Sequence, residues 1–213
     1  MAMRLHGHAT QVTRMPLKFQ YNKTFQQQLS KELRVRENAL PTLQAKESAL
    51  RMEVKKAKQQ ARDLEAELAT RLVELAETHR LWADLPSRLV KVRGIALKDR
   101  KIAGVKTPAL ASVDFAIEDY SMVASPAWLP RGVEILKQLA ELRIKCDLAI
   151  RTMQTLEYAR KKTTQKVNLY EKVQIPEYQE AIRKIKRFLE DEENLAKSSQ
   201  KILKARLAAV EAA

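Results

Sequence analysis

Glycine is nearly missing from this chain: four of 213 residues, Gly7, Gly94, Gly104 and Gly132. Neither a GxxxxGKS/T phosphate loop nor a glycine-rich dinucleotide turn occurs, which argues against nucleotide hydrolysis by the chain itself. One cysteine, Cys146, excludes an internal disulfide framework and suits the cytosol. It falls on an apolar helical face, where a small core residue is a far commoner role than a nucleophile. Aromatics make up 5% and are scattered, so the stacking platforms of nucleic-acid grooves are not evident. HExxH and CxxC are also absent. His6 and His8 have no third ligand candidate and His79 has no second, so neither a metal nor any other cofactor is expected. No apolar run approaches the roughly 20 residues of a membrane span, and any membrane role is expected to be peripheral, without insertion. The opening MAMRLHGHATQVTRM has no long apolar core or cleavage site, and no secretory signal is expected.

What the chain has is charge, alanine and leucine. Charged residues make up 31%, the bias of long helices and coiled coils. The formal net charge is +14. Divided at Ala83 and Pro130 it amounts to +6, +2 and +6, so the excess is not a detachable tail. Such an excess permits contact with nucleic acid, anionic lipid or acidic protein without choosing among them.

The pattern predicts a mainly α protein. Residues 1–17 read as a lead-in and 211–213 as a tail. Residues 18–83 form a first helix, in which Leu43, Leu50, Val54, Ala57, Ala61, Leu64, Leu68 and Leu75 keep mainly to a three-four alternation. Glu47 and Arg71 interrupt that seam, and Pro41 predicts a kink or short break near residues 39–41. Residues 131–210 form a second helix. Leu139, Leu142, Cys146, Ala149, Met153 and Leu156 make its seam, extended by Thr163, Val167 and Tyr170. Pro176 is expected to perturb the register, with the stripe resuming through Ile182, Ile185, Leu189, Leu195 and Ile202. Helices this polar cannot bury themselves alone, so the two terminal segments are expected to pair as a long antiparallel two-helix coiled coil.

Between them, residues 84–130 carry four of the seven prolines and two of the four glycines. Val90 to Arg93, part of 102–106 and, more clearly, Ser112 to Ile117 alternate in polarity. This predicts a small β-hairpin or meander of two or three short strands, with turns at Lys98-Asp99-Arg100 and at Thr107-Pro108. Trp82 and Trp128 flank it, placed to pack it against the helices.

Few residues gather into a site. Glu190-Asp191-Glu192-Glu193 points around most of a helical turn and cannot converge on one ion; it reads as a solvated face or a docking patch. Lys161-Lys162 and Lys184-Lys186-Arg187 read most simply as solvated helix flank.

The ends of the chain carry a more specific pattern. Lys162-Thr163-Thr164-Gln165-Lys166-Val167-Asn168, then Glu171 and Ile175-Pro176, resembles the KTTxxVNxLExxxIP signature of the D subunit of V-type and archaeal A-type ATPases. Leu169-Tyr170 stands where that family more often has Ala-Leu. Thr13-Arg14-Met15 resembles its TRM opening, and residues 33–40 resemble its LKxKRDxL segment. Residues 16–28 and Pro41 depart from the pattern.

The resemblance implies a central rotor shaft that performs no catalysis and couples ATP hydrolysis or synthesis in a catalytic ring to ion translocation in a membrane ring. It implies as partners the catalytic and regulatory ring subunits, the F subunit and a socket subunit joining the shaft to the membrane ring. It also implies a cytoplasmic location, peripheral to the membrane. Lys184, Lys186 and Arg187 are then candidates to meet acidic loops of the ring. A rival reading uses the same helices and charge: a basic coiled-coil scaffold or tether for nucleic acid or anionic membrane. The tether requires steeply salt-dependent binding by the isolated chain, which the rotor does not.

Overall fold

The computed structural model describes residues 20–76, 82, 89–121 and 125–211. In chain order these form helix α1 (Lys23–Ala76), strands β1 (Val90–Ile102) and β2 (Val105–Ile117), helix α2 (Leu129–Leu169), one π-helical turn (Tyr170–Gln174) and helix α3 (Ile175–Glu211). His6, His8, His79 and Pro86 lie outside the described residues. By its contacts the chain divides into two units, residues 1–40 with 168–213 and residues 41–167.

In the first unit, α1 begins with a capped turn: the Phe25 N–H donates to Asn22 Oδ1 at 2.7 Å, satisfying one of the donors a helix start leaves open. Leu29 of α1 packs with Tyr178, Ala181 and Ile185 of α3, and Phe25, Leu33, Ile182 and Leu189 border this core. Partner numbers fall along the π turn and α3 as they rise from the start of α1: Tyr21, just before α1, meets Phe188, Glu32 meets Tyr178, and Arg36 meets Gln174 of the π turn. The helices therefore run antiparallel.

The stripe expected to continue through Leu195 and Ile202 does not pack. Those side chains are 70% and 56% exposed, and every residue from Glu190 to Val210 is exposed. Spacing identifies an apolar face; it does not supply a partner to cover it.

Helix α1 runs unbroken through Pro41, so of the kink or short break expected there the break does not occur. Both Pro41 and Glu37, whose carbonyl loses its usual donor, are exposed. Water can reach that carbonyl, which limits the cost of the missing bond. Pro176 acts differently. The Ile175 N–H donates to the carbonyl of Tyr170, five residues back, which closes the π turn immediately before the proline. That turn holds one residue more than an α-turn, and Pro176 falls in the first turn of α3, where its missing donor is tolerated. Before the π turn, the covered positions Leu156, Thr163 and Tyr170 recur at seven. Past it the buried Tyr178 and Ile185 are again seven apart, but each stands one place later than a strict continuation of that repeat. The register shift expected at Pro176 is thus present, and the stripe resumes at Tyr178, ahead of Ile182.

In the second unit, α1 and α2 pack along the predicted seam. Leu50, Ala57 and Leu156 form a core bordered by Val54, Met153 and Ala159. Ala61, Leu68 and Cys146 are also buried. Cys146 is 2% exposed, and burial pushes its thiol up, so it is a packing residue rather than a thiolate.

Among the described residues the middle segment holds the expected β-hairpin, with two strands of 13 residues each, longer than the short strands anticipated. Its turn is Ala103-Gly104, both with positive φ (48° and 78°), the geometry of a two-residue hairpin loop. Lys98-Asp99-Arg100 and Thr107-Pro108, expected as turns, pair with each other inside the strands. A two-stranded ribbon leaves β1 wet, so a run of charges is compatible with a strand. Either strand of such a ribbon is also an edge, where proline is tolerated. Ile102, Ala103 and Val105 at the tip lie on the helical seam beside Leu50 and Met153.

At the base, Leu89, Leu129 and Val133 form a second core with Val90, Tyr120 and Trp128. Trp82 meets Trp128 edge-on, with ring centroids 5.8 Å apart. Gly132 lies under these indoles, and a Cβ there would stand 2.9 Å from Trp128. Gly132→Val should therefore destabilise the protein by about 1–3 kcal/mol through overpacking, measurable by urea denaturation. Unchanged stability would mean that the indoles are not packed on this position.

Candidate functional site

The signature residues occupy both units, and each unit is informative by itself. In the second unit, Thr163 is half-buried and its hydroxyl donates to the Ala159 carbonyl at 2.9 Å, one turn back. Thr164 reaches the opposite helix and donates to Glu47 Oε1 at 3.1 Å. Glu47 is the polar residue that interrupts the α1 seam. Its side chain is 15% exposed, and Arg51 one turn on donates to the same oxygen at 3.1 Å. A carboxylate placed so deep requires such donors. Lys162 lies over the Tyr158 ring, 4.7 Å from its centroid, in a cation–π contact near solvent. Val167 is half-buried along the seam.

In the first unit, Asn168 and Pro176 are exposed and Ile175 is half-buried. Lys184 pairs with Glu180 at 2.9 Å and Lys186 with Glu190 at 3.7 Å, both on the helix surface. Arg187 is exposed and forms no ion pair among the described residues. Thr13, Arg14 and Met15 lie outside the described residues. The signature positions therefore do not converge on one cavity. Nor do three His, Cys, Asp or Glu side chains meet as a metal site among the described residues.

The most connected polar group in the first unit lies beside the π turn. The Tyr178 hydroxyl donates to Glu32 Oε2 at 2.7 Å. Arg36 donates through Nη1 to the same carboxylate at 3.3 Å and through Nε to Gln174 Oε1 at 3.1 Å. Its guanidinium stacks 4.3 Å from the Tyr178 ring centroid. The cluster ties the last residue of the π turn, and the first buried residue after it, to one turn of α1. The hydrogen bond from Tyr178 is the largest influence holding the Glu32 carboxyl below its usual range, with Arg36 adding to it against the effect of burial. Burial, then the bond to Glu32, pushes the Tyr178 phenol up.

Sequence reasoning did not pick out this cluster. The i, i+4 spacing of Glu32 and Arg36 was a usable signal for an ion pair. The tyrosine 146 residues away was not. Glu47 carried a better signal, because a charged residue in a heptad seam calls for a polar partner on the facing helix.

A sequence model of the family described as the ATP synthase D subunit matches residues 26–205, which takes in both helical ends, the hairpin and the π turn. The chain belongs to the ATP synthase D-subunit family. Its relatives include the V-type ATP synthase D subunit of Borreliella burgdorferi, 30% identical over 184 residues, covering 83% of this chain and 88% of that protein. The V-type ATP synthase D subunit of Chlamydia caviae is 28% identical over 160 residues, covering 73% of this chain and 77% of that one. That of Chlamydia pneumoniae is 28% identical over 157 residues, covering 71% and 75%. Within this member of the D-subunit family, the features set out above belong to a packed helical framework.

The Glu32–Tyr178 bond sets a pH dependence. A carboxyl held below its usual range contributes stability that is fully present above the unfolded value and is lost as pH falls through the folded one. Tyr178→Phe should cost about 1 kcal/mol near neutrality, a modest figure because Glu32 is partly exposed. The gap to the unaltered protein should close as pH falls below about 4. Urea midpoints at pH 7 and pH 3 check this, and an equal gap at both pH values would contradict it.

Proposed function

We propose that this chain is the central-stalk rotor subunit of a V/A-type rotary ATPase, coupling ATP hydrolysis or synthesis in a catalytic ring to ion translocation in a membrane ring. The observation that carries the reading is the family match over 26–205, continuous through both helical ends. Nucleotide chemistry belongs to other subunits in this reading, in keeping with a sequence that holds no phosphate-loop pattern. The complex is on the cytoplasmic side of a membrane, which the chain meets only through its partners. No helix among the described residues is long and apolar enough to cross a membrane. The partners are the catalytic and regulatory ring subunits, the F subunit and the socket subunit of the membrane ring.

The physics of the helix pair supports this role. Two antiparallel helices have an asymmetric cross-section, so a ring of equivalent sites around them meets a different surface at each site. Differential contact biases each site toward a different conformation, and the coupling is reciprocal: a site that changes state also drives the shaft. The packed seam resists twisting while polar flanks turn without adhering.

In this reading Thr13, Arg14 and Met15, which lie outside the described residues, belong to the family's opening motif. Lys162, Thr163, Thr164, Val167, Asn168, Ile175 and Pro176 hold helix register and partner contacts. Lys184, Lys186 and Arg187 face acidic loops of the ring. Two experiments test the proposal. Mild affinity purification of the tagged chain should recover ATPase ring subunits, and their absence would count against the rotor. A triple reversal, Lys184→Glu, Lys186→Glu and Arg187→Glu, should leave the complex assembled but uncouple part of its ATPase activity from ion transport. The helix itself should lose only a few tenths of a kcal/mol per new like-charge pair. Unchanged coupling would remove these three residues from the mechanism.

A further inference from the structure

Strand β1 has an open edge. It is exposed at every residue from Lys91 to Lys101, whereas β2 buries Thr107 and leans on α2, where the Thr152 hydroxyl donates to the Pro108 carbonyl at 3.5 Å. The sheet has only these two strands, so the outward backbone donors and acceptors of β1 form no ladder among the described residues.

Its side chains sort by the two-residue period of a strand. Ile95 and Leu97 share one face, opposite Val113 and Leu110, and are 46% and 52% exposed. Lys98 and Arg100 stand on the other face. The two strands carry six cations against two carboxylates, Asp99 and Asp114. Among the described residues only Lys91 of the six forms an ion pair, with Glu118 at 2.8 Å. Lysines on a free edge also oppose unwanted pairing, but that role does not call for Ile95 and Leu97 beside them.

From this arrangement we infer that β1 is a docking edge for an extended segment of a partner protein in which apolar and acidic residues alternate. The segment adds to the sheet as a third strand. Its backbone completes the ladder, its apolar side chains cover Ile95 and Leu97, and its carboxylates meet Lys98 and Arg100. Nucleic acid fits less well, because Phe115 is the only aromatic of the hairpin and is half-buried. The inference stands on the hairpin alone and holds whether or not the chain turns in a rotary complex.

Fluorescence anisotropy on the full chain tests it with a labelled nine-residue peptide of alternating valine and glutamate. A second peptide has the same sequence with every other residue N-methylated, which keeps the charge and removes ladder hydrogen bonds. The parent peptide should bind saturably and the methylated one at least about tenfold more weakly. Ile95→Thr with Leu97→Thr, which keeps β-forming residues, should weaken the parent by a similar factor, as should Lys98→Glu. Failure of the parent to bind, or equal binding of both peptides, would overturn the inference without reliance on any variant. Tighter binding of a 20-mer oligonucleotide or of phosphatidylserine vesicles, lost in the same variants, would assign the edge to a polyanion and overturn it too.

Discussion

In each of the two units a thin apolar seam holds the helices together. The helices are polar on most of their circumference, so each depends on facing side chains for burial. Leu50 and Leu156 in one unit and Ile185 in the other are the most deeply buried of these. Full burial of a leucine or isoleucine contributes about 1.5–3 kcal/mol. Because few side chains do this work, the register in which the helices meet decides whether the seam exists. The small residues Ala57, Ala61 and Ala181 are buried within it, where they admit a facing helix at close range.

Register is reinforced by polar groups within or beside the seam. Thr164 reaches Glu47 only in the observed alignment, whereas Arg51 holds the same carboxylate from its own helix. A slip of one turn would take the Thr164 hydroxyl away from the carboxylate, at a cost of about 1 kcal/mol for the lost bond. The Glu32–Arg36–Tyr178–Gln174 cluster does the same beside the π turn. The π turn inserts one residue into the second helical run, and the cluster fastens the last residue of that turn and the first buried residue after it to one turn of α1. The proposed rotor role depends on such fixing. Torque passes between helices only if they do not slide.

Much of this was legible in the sequence, for a physical reason. Long helices write their partners as a three-four alternation, and the predicted seams of α1 and α2 are the covered faces of those helices. The KTT and Ile-Pro pattern pointed to the family. Three things were less legible. Apolar spacing at Leu195 and Ile202 is the same whether or not a partner is present. A hairpin turn made of Ala103-Gly104 lacks the Asn-Gly or Asp-Gly signal, so polar residues inside the strands looked more turn-like than the true turn. The tyrosine of the polar cluster meets its partners only through tertiary packing. Among the site residues, the partner of Thr164 could be anticipated from the interruption at Glu47. The ion pairs of Lys184 and Lys186 are local i, i+4 pairs that say little about what the outer surface meets.

The central claim is mechanical, and rotation is its most direct measure. A catalytic ring assembled with this chain would be fixed to glass, and a bead attached to the chain at an exposed position clear of the seam. The account predicts unidirectional, stepwise rotation of the bead on addition of ATP, stopping when ATP is removed. Sustained ATP hydrolysis by the assembled ring, with the bead on this chain stationary, would contradict it.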